Sequence, residues 1–440
     1  MLSWRFMRDV NVGIVGLGNV GSGSLTILTA NSGEIARKLG FRLNVRGLCS
    51  RTIRTKSLPA GVGEVFTTTD WFELVTHPDI DIVAELVGGT TVAHQVVDEA
   101  IRHGKSVVTA NKELMADCGL EIWSAASQAG VHLAFEASVC GGIPIHHVLR
   151  DGIAADRIQT LFGILNGTCN YILTEIERRQ AKFDDVLREA QALGYAEADP
   201  TADVEGYDAR SKLALLATLA FGQRTRVADI YTEGIRRISP EDFEYAAQLG
   251  YTIRLLCGAR RSADGIRVSV RPALIPKDAI LASVHGGYNA VWVRGAHGQD
   301  TFYYGKGAGP EPTGVAVVSD MMRLARDVRE RRCQLSSPFA YQTLEPARIL
   351  PIEDERKPWF LRFRVKDRPG IIAALATTLA EWAVSVDAVL QLPAKDKQNL
   401  PFVITVEAAP EHAIRAAVRK MGDYDFMADA PLALPMETGV

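Results

Sequence analysis

The sequence is poor in cysteine, lacks long apolar runs and has almost no excess of charge of either sign. Its six cysteines are widely spaced and form no CxxC pair, which argues against a tetrathiolate zinc site or a disulfide framework and suits a reducing compartment. No window approaches about 18 uncharged apolar residues, so we expect no transmembrane helix and no membrane partner. The net charge of −3 gives no reason to expect nucleic acid as a partner.

The N-terminal stretch MLSWRFMRDV also lacks the pattern of a secretion signal, because charged residues come before any apolar run of useful length. The composition is that of an ordinary globular protein, 47% hydrophobic and 23% charged. A length of 440 residues favours two or three domains. A cytoplasmic enzyme is therefore the expected class.

Residues 1–141 alternate short apolar runs with helical patterns, which is typical of a parallel α/β sheet of the Rossmann type. The expected strands are Asn11–Val15, Leu43–Leu48, Ile80–Val87, Ser106–Thr109 and Val131–Phe135. Ligands bind beyond the C-terminal ends of such strands. We therefore look for binding residues at those ends.

Residues 142–304 are richer in helix and form the expected second domain, of α+β type. It has an apolar helix over Tyr207–Phe221 and a strand over Ile266–Ala273, whose exposed pattern indicates a need for a partner. A glycine-rich loop at Gly305–Gly309 precedes another helix near Pro312–Arg326.

The end of the chain forms the expected third domain, over residues 358–436. Residues 341–357 contain prolines and are predicted to be a linker. The alternating run FLRFRVKD indicates a half-buried strand and leads into the turn Asp367–Gly370. The later runs complete the order βαββαβ, which predicts a small ferredoxin-like module.

The first strand leads into the motif G-x-G-x-x-G, formed by Gly16, Gly18 and Gly21. Gly16 permits a tight turn, Gly18 lets backbone approach a pyrophosphate, and Gly21 allows close packing of helix on strand. The helix that starts at Asn19 and Val20 supplies N–H donors for phosphate. The position of the motif between a strand and a helix predicts dinucleotide binding.

The end of the second strand indicates which dinucleotide binds. An NAD site normally has Asp or Glu there to bond the ribose 2′-hydroxyl. This chain has no carboxylate at that point but has Arg51, with Arg54 and Lys56 close behind. We therefore favour NADP(H), with NAD(H) possible, over the alternative of a solvated basic loop.

Two lysines are candidates for chemistry. Lys212 follows Asp208 by four residues on the predicted apolar helix, so both lie on one face that continues into buried leucines. A lysine in low dielectric beside carboxylates is a candidate proton carrier, and the alternative is a structural ion pair at a helix start. Lys112 follows the strand Ser106–Thr109 and could reach a ligand, or could be a solvated lysine at a helix start.

The motifs taken together resemble homoserine dehydrogenase, in the bacterial form with a C-terminal ACT regulatory domain. The resemblance covers nearly the whole chain. It rests on GLGNVG (16–21), TANKE (109–113), FEASVCGGIPI (135–145), GILNGTCNYIL (163–173), GYAEADPTADVEGYDARSKL (194–213) and VKDRPG (365–370). The order of carboxylates and lysine in the fifth motif is the most specific of these.

The resemblance implies interconversion of L-homoserine and L-aspartate 4-semialdehyde, as part of threonine and methionine biosynthesis. By position in the motifs, Lys212 matches the general acid and Lys112 the second lysine, near substrate and nicotinamide. Glu197, Asp203 and Asp208 match substrate-pocket acids. Which lysine transfers the proton stays open. The alternatives are another NADP-dependent amino-aldehyde reductase and a non-catalytic sensor of amino acid and redox state.

The resemblance also implies a bound monovalent cation, Na+ or K+. The positions that match its backbone ligands are Glu136, Val139, Gly141 and Ile143. Gly307 and Gly309 match a second glycine-rich segment that closes on the cofactor, so residues of about 305–340 would return to the first domain. The match of Asp367, Pro369 and Gly370 to an ACT turn implies L-threonine as an effector. The middle domain would form a homodimer or a homotetramer.

Overall fold

The structure is a computed structural model and describes residues 8–330, 332, 337–393 and 396–439. Residues 1–7, where we expect no secretion signal, lie outside the described residues, as do 331 and 333–336 of the segment expected to return to the first domain and 394–395 of the tail. In the described part of the chain, the helices are too short or too polar to cross a bilayer.

The first domain is a six-stranded parallel sheet with helices on both faces. Its strands are β1 (Val10–Val15), β2 (Leu43–Cys49), β3 (Phe66–Thr68), β4 (Ile82–Glu85), β5 (Ser106–Thr109) and β6 (Leu133–Ala134). Its helices are α1 (Asn19–Ala30), α2 (Ser32–Leu39), α3 (Trp71–Thr76), α4 (Thr91–Arg102) and α5 (Lys112–Ala129). The strand order β3-β2-β1-β4-β5-β6 confirms the predicted Rossmann arrangement. The strand ends at β1, β2, β4 and β5 share one edge, where ligands bind in such sheets.

The second domain packs helices against a mixed six-stranded sheet. Its helices are α6 (Ile145–His147), α7 (Gly167–Arg179), α8 (Phe183–Ala192), α9 (Thr201–Val204), α10 (Tyr207–Phe221) and α11 (Pro240–Gln248). Its strands are β7 (Ile158–Ile164), β8 (Gln223–Arg224), β9 (Tyr231–Thr232), β10 (Tyr251–Arg261), β11 (Ile266–Pro276), β12 (Tyr288–Gly295) and β13 (Asp300–Lys306). The sheet order is β13-β12-β7-β10-β11-β9, and β8 lies outside it.

Four strands of this sheet, β7, β9, β10 and β13, were not among the predicted strands. The strands β7, β10 and β13 carry Gly163, Gly258 and Gly305, which interrupt the β-branched and aromatic pattern that marks a strand, and β9 spans only two residues. The inference that Ile266–Ala273 needs a partner was wrong, because β11 pairs with β10 along its whole length and with β9 at Ser269 and Val270. That strand therefore gives no support to an oligomer interface.

Helix α10 runs through the main core of the protein. It starts after Gly206, whose positive φ of 81° makes the turn from α9, and it ends before Gly222 at φ 68°. Every residue from Leu213 to Phe221 is buried, against α5, β10 and β11. The helix start, which carries Asp208 and Lys212, is thereby fixed against both the first domain and the mixed sheet.

Helix α12 (Pro310–Glu330) leaves the second domain and packs on the first. Helices α12 and α1 can pack closely because both contact positions are glycines. A Cβ on Gly23 would stand 2.1 Å from the Pro310 carbonyl oxygen, and a Cβ on Gly314 would stand 2.9 Å from the backbone of Gly23. Asp320 of this helix accepts a hydrogen bond of 2.8 Å from the Glu136 amide. The helix joins the two domains.

The third domain has the predicted order βαββαβ. Its elements are β15 (Arg356–Val365), α13 (Ile371–Glu381), β16 (Val386–Leu390), β17 (Leu400–Pro410), α14 (Glu411–Gly422) and β18 (Leu432–Pro435). The antiparallel order β16-β17-β15-β18 confirms the ferredoxin-like module. The short strand β14 (Glu345–Pro346) lies in the segment predicted as a linker and pairs with β8.

The segment before β15 is held against the second domain by backbone hydrogen bonds. The Ile266 amide donates to the Arg348 carbonyl at 2.9 Å, and the Leu350 amide donates to the Ile266 carbonyl at 2.8 Å. Buried ion pairs then join the domains: Arg271 of β11 lies 3.0 Å from Glu355 and 2.7 Å from Glu411. The third domain is therefore docked on the mixed sheet.

Candidate active site

The loop between β1 and α1 has the geometry of a phosphate cradle. Gly16 has a φ of +98°, and a Cβ there would stand 2.4 Å from the Leu86 carbonyl oxygen. A Cβ on Gly21 would stand 2.0 Å from the Gly16 carbonyl oxygen, whereas a Cβ on Gly18 would meet open space. Since α1 starts at Asn19, the first amides of the helix lie next to that space.

This open space belongs to a cleft of about 760 Å³ at the ends of β1, β2 and β4. Arg51 and Lys56 line the side that follows β2, and residues 86–92 line the opposite side. The Arg51 side chain is exposed, and the Lys56 ammonium donates to the Leu17 carbonyl of the glycine loop. The space beside Gly18, the helix amides and these cations fit a dinucleotide with a phosphate at the edge of the cleft.

A buried carboxyl group that the sequence analysis missed, Glu85, holds the cleft wall. It ends β4 and accepts hydrogen bonds from the Val87 amide at 2.8 Å and the Thr109 hydroxyl at 2.6 Å. The Asn111 side chain caps α5 and donates to the Gly89 carbonyl at 2.6 Å. Burial raises the pKa of Glu85. The network fixes the cleft wall relative to the start of α5.

The two candidate lysines meet at one carboxylate. The Lys212 Nζ lies 2.7 Å from Asp208 Oδ2, as the four-residue spacing predicts, and donates to the Leu165 carbonyl at 2.8 Å. The Lys112 Nζ lies 3.2 Å from Asp208 Oδ1, reaching across from the first domain. The side chain of Lys212 is 12% exposed and that of Lys112 is 29% exposed. The charges therefore lie between the domains with an opening toward solvent.

The electrostatics keep this cluster charged. Burial alone would raise the pKa of Asp208, but Lys212 and Lys112 hold it at about 2. Burial would likewise lower the pKa of Lys212, but the charge of Asp208 outweighs it, so the pKa of Lys212 lies above its ordinary value. Lys212 is an ammonium group and Asp208 a carboxylate across the physiological pH range.

A second acid, Asp203, stands beside this pair. Its Oδ1 accepts a hydrogen bond of 2.7 Å from Asn166 Nδ2, and the same nitrogen donates to Asp208 Oδ2 at 2.8 Å. Burial raises the pKa of Asp203 against the effect of the hydrogen bond from Asn166. Sequence reasoning gave Asn166 no role, although its position directly after a buried strand and before a helix is typical of an N-cap.

The structure does not bring the other acids of the segment into this cluster. Glu197 is exposed on the loop between α8 and α9, where its carbonyl accepts from Gln191 Nε2 at 3.0 Å. Asp199 accepts from the Thr201 amide at 3.1 Å, and Glu205 pairs with Arg236. Asp199 and Glu205 are thus a turn-stabilising acid and a surface acid.

The bend that matches a cation site follows β6. Cys140 has a left-handed backbone, with φ of +50°, and turns the chain between Val139 and Gly141. Among the described residues, neither the Val139 nor the Gly141 carbonyl oxygen accepts a backbone hydrogen bond. The Glu136 carbonyl accepts from the Val139 amide at 3.4 Å and the Ile143 carbonyl from the Ile145 amide at 2.7 Å. Since each carbonyl oxygen has two lone pairs, the carbonyl oxygens of this bend still have lone pairs that could coordinate a cation. Neutral oxygens of this kind fit a hard monovalent cation.

The carboxylate of Glu136 has a different task from its backbone. It accepts hydrogen bonds from the His146 amide at 2.9 Å and the His147 amide at 2.8 Å, at the start of α6. Burial raises its pKa to about 7, although His147 acts in the opposite direction. In the described part of the chain, His, Cys, Asp and Glu side chains form no group of three that could hold a metal ion.

The second glycine segment packs on this bend. The Gly142 amide donates to the Lys306 carbonyl at 3.0 Å. A Cβ on Gly307 would overlap Asn289 Oδ1 at 1.2 Å, and Gly309 has a φ of +126° just before α12. The segment therefore requires glycine at both positions, and the two glycines lie beside the bend rather than among the residues that line the main cleft.

Three buried thiols, Cys140, Cys169 and Cys257, surround the lysine and acid cluster. Burial raises the pKa of all three, that of Cys140 to about 12. The Cys169 thiol donates to the Asp203 carbonyl at 3.1 Å. They are protonated packing groups.

The turn of the third domain is open to solvent. The Asp367 amide donates to the Lys397 carbonyl at 2.8 Å, Pro369 is exposed, and Gly370 has a φ of +94° at the start of α13. Arg368 pairs with Asp425 at 2.8 Å. The turn is fixed, with its amides at the start of α13.

Comparison with known proteins agrees with this arrangement. Residues 144–322 match the family model described as homoserine dehydrogenase, 16–136 match the homoserine dehydrogenase NAD-binding domain, and 359–424 match the ACT domain. The chain is 43% identical to the homoserine dehydrogenase of Pseudomonas aeruginosa over 415 residues, which cover 94% of this chain and 95% of the relative. The chain belongs to the homoserine dehydrogenase family.

Two solved structures extend the comparison. A homoserine dehydrogenase from Thiobacillus denitrificans has a TM-score of 0.91 and 43% identity, and the match covers 98% of this chain and 99% of that one. A mutant of a hyperthermophilic archaeal homoserine dehydrogenase, in complex with NADPH, has a TM-score of 0.61 and 26% identity over 72% of this chain and 98% of that one. The predicted family, oxidoreductase class and ACT domain are confirmed, and Gly18 lies within the region that matches the NAD-binding domain.

Proposed function

We propose that this enzyme reduces L-aspartate 4-semialdehyde to L-homoserine, and catalyses the reverse, with NADP(H) preferred over NAD(H). The observation that carries the proposal is the Lys112–Asp208–Lys212 cluster, which lies where the first and second domains meet. A nicotinamide held in the cleft beside Gly18 would supply or accept the hydride. The protein must then place the aldehyde and manage the charge on its oxygen.

Lys212 is proposed as the group that faces the reacting oxygen. When hydride adds to the aldehyde carbon, negative charge develops on that oxygen, and an ammonium group at hydrogen-bond distance stabilises it and delivers the proton. Its raised pKa keeps Lys212 protonated for this step. Asp208 holds the lysine in place at 2.7 Å.

The same cluster is proposed to bind the charged ends of the substrate. Asp208 and Glu197 would attract the substrate ammonium, with Asp203 as pocket support. Lys112, the more exposed of the two lysines, would pair with the substrate carboxylate or approach the nicotinamide. Since Glu197 is exposed, its part in binding would come from the solvent side of the pocket.

The preference for NADP(H) rests on charge. Arg51 and Lys56 line the cleft where an NAD site would place a carboxylate, and cations there suit a 2′-phosphate. The archaeal relative in complex with NADPH supports the same preference. A monovalent ion, Na+ or K+, is proposed at the backbone carbonyls of Glu136, Val139, Gly141 and Ile143, where it would fix the bend that carries Cys140.

The reaction is proposed to serve threonine and methionine biosynthesis in the cytoplasm, where free thiols such as the five described here stay reduced. L-Threonine is the proposed inhibitor, bound by the ACT turn at Asp367, Pro369 and Gly370. Increasing L-threonine should lower the turnover rate of the wild type and should lower the rate of Asp367→Ala less. Asp423→Ala, an exposed acid of the same domain, is the control. An unchanged wild-type rate at millimolar threonine would refute the regulatory part.

The enzyme is proposed to be a homodimer or homotetramer through the middle domain. The edge strand β13 and its neighbour β12 present Tyr304 and Tyr288, exposed and stacked at 5.0 Å between ring centroids. Aromatic groups of this kind favour protein interfaces. Light scattering of the wild type should give a molecular mass that is a multiple of the 47.9 kDa chain, and Tyr304→Glu should lower that mass.

The central test is turnover of aspartate semialdehyde with NADPH in Lys212→Ala. We expect a loss of at least about 100-fold, since the variant removes both the charge and the proton donor. NADPH binding should stay within about twofold, because the cleft beside Gly18 is separate. Lys38→Ala, which removes an exposed lysine paired with Glu34, is the matched control and should keep wild-type turnover. Retained turnover in Lys212→Ala would overturn the mechanism.

A further inference from the structure

Asn166 uses all of its hydrogen-bonding groups inside the candidate active site. It lies between β7 and α7, and its side chain is 4% exposed. Its Oδ1 accepts a hydrogen bond of 2.7 Å from the Cys169 amide and so caps α7. Its Nδ2 donates to Asp203 at 2.7 Å and to Asp208 at 2.8 Å. An amide has two N–H donors, so both are used on carboxylates.

The bridge brings together two acids that would otherwise repel each other. Asp203 comes from α9 and Asp208 from α10, and each raises the cost of charge on the other. The amide is a neutral donor between them, and hydrogen bonds to carboxylates are stronger than those to neutral acceptors. Because the Asn166 oxygen is fixed by the start of α7, its nitrogen is fixed too. The position of both acids thus depends on α7.

We propose that Asn166 is a positioning residue for catalysis, which holds the Asp203 and Asp208 carboxylates together so that Asp208 keeps Lys212 aimed at the reacting oxygen. Asn166 touches neither cofactor nor substrate in this role and acts through the acids. The proposal rests on the proposed roles of Lys212 and Asp208. It adds that α7, through a single amide, sets the geometry of the acids on α9 and α10.

The ionisable groups that face Asp208 come from five other parts of the fold as well as its own helix. They are Lys212, Lys112, Asp203, Cys140, Cys169 and Cys257. The three thiols are protonated, so the balance is two lysines against two acids. The Asn166 hydrogen bonds lower the pKa of both acids. A carboxylate in place of this amide would raise the pKa of Lys212 further, so oxidation, which requires Lys212 to lose a proton, would need a higher pH.

The competing explanation is that Asn166 only caps α7. Asn166→Asp separates the two, because aspartate caps a helix as well as asparagine does and has nearly the same shape. It keeps the oxygen that accepts from Cys169, but as a carboxylate it cannot donate to Asp203 or Asp208. Asn166→Ala removes both functions. A cap alone predicts that only the alanine variant is impaired.

The experiment measures kcat and KM for homoserine oxidation from about pH 6 to 10 in the wild type and both variants, with NADPH affinity and melting temperature measured in parallel. We expect kcat/KM for homoserine to fall at least about tenfold in both variants and NADPH affinity to stay within about twofold. In Asn166→Asp the acid limb should also move to higher pH, because a third carboxylate faces Lys212. In Asn166→Asp the melting temperature should stay near that of the wild type. Wild-type kcat/KM and an unmoved acid limb in Asn166→Asp would overturn the proposal.

Lys212→Ala measured alongside separates the two possible failures. If Lys212→Ala is inactive while Asn166→Asp behaves like the wild type, the mechanism holds and the positioning role is wrong. If Lys212→Ala keeps its turnover, the proposed mechanism fails, and the positioning role that rests on it fails as well. If Asn166→Asp melts lower and still shows a normal pH profile, the effect is structural and the proposal is overturned.

Discussion

Replacement of Arg271 by methionine should loosen the third domain from the second. Arg271 lies on β11 with its side chain 3% exposed, and it bridges Glu355 at 3.0 Å and Glu411 at 2.7 Å. Methionine fills much of the same space but leaves both carboxylates buried without this partner. Removal of one member of a buried ion pair costs about 3–5 kcal/mol.

The structure places the expected cost at the lower end of that range. Glu355 keeps Lys357 at 3.0 Å, and Glu411 keeps Arg415, so neither carboxylate is left alone. We therefore expect a loss of about 3 kcal/mol, which is about 100-fold in the equilibrium for opening of the junction. Adding Glu411→Gln to Arg271→Met should restore part of the lost stability, because it removes a buried negative charge that Arg271→Met leaves without its arginine partner.

Hydrogen exchange at the junction is the appropriate assay, because a chain of several domains does not unfold in a single step. The Glu437 amide, which donates to the Leu274 carbonyl at 2.8 Å, reports on docking of the third domain. Its protection should fall about 100-fold in Arg271→Met.

Arg294→Met is the matched control for this measurement. Arg294 pairs with Asp300 at 2.6 Å in the same sheet, but the two side chains are 44% and 46% exposed. An exposed pair contributes at most about 1 kcal/mol, so protection of the Glu437 amide should change less than about fivefold. An equally small effect in Arg271→Met would refute the claim that the buried ion pairs hold the domains together.

Three further predictions concern the cofactor and the proton. Gly18→Ala should fold with wild-type stability but bind NADPH at least about tenfold more weakly, because its Cβ would occupy open space that the cofactor needs. Gly21→Ala should also lower the melting temperature, because its Cβ would stand 2.0 Å from the Gly16 carbonyl oxygen. Calorimetric titration and thermal melts separate the two, and equal effects of the two changes would contradict this. Arg51→Glu should lower the ratio of kcat/KM for NADPH over NADH at least about tenfold, and an unchanged ratio would remove the charge argument. Homoserine oxidation requires Lys212 to lose a proton, and the pKa of Lys212 is raised in the folded enzyme. We therefore expect kcat/KM for oxidation to be still rising at about pH 10, whereas kcat/KM for the reduction, which uses protonated Lys212, should not rise there. A plateau of the oxidation rate near neutral pH would contradict the role assigned to Lys212.

Local patterns in the sequence were sufficient for the parts of the protein in which neighbouring residues carry the information. The G-x-G-x-x-G spacing predicts the turn at Gly16 and the start of α1, because each glycine answers a backbone constraint within a few residues. The spacing of Asp208 and Lys212 predicts their contact on α10, because residues four apart share a helix face. The βαββαβ order of the third domain follows from the same periodicities.

The sequence failed where a residue's partner lies on another element. The strands β7 and β10 were missed because their glycines interrupt the pattern, and their place in the sheet depends on pairing with β12 and β11. Ile266–Ala273 was expected to need an outside partner, but the fold pairs it on both sides. The side-chain partners of Glu85 and Arg271 lie on other elements. Thr109 is 24 residues from Glu85 and Glu355 is 84 residues from Arg271, so no local pattern indicates either contact.

The composition and motifs by themselves determined the class of enzyme, the nucleotide loop and the acid–lysine helix, because each is encoded within one turn, strand or helix. Only the tertiary structure decided how the site is assembled. It brought Lys112 from the first domain to 3.2 Å from Asp208, placed Asn166 between two acids, and left Glu197 at the surface. These arrangements depend on how α5, α7, α9 and α10 pack around one core, and packing over such separations is not written in the periodicity of any one of them.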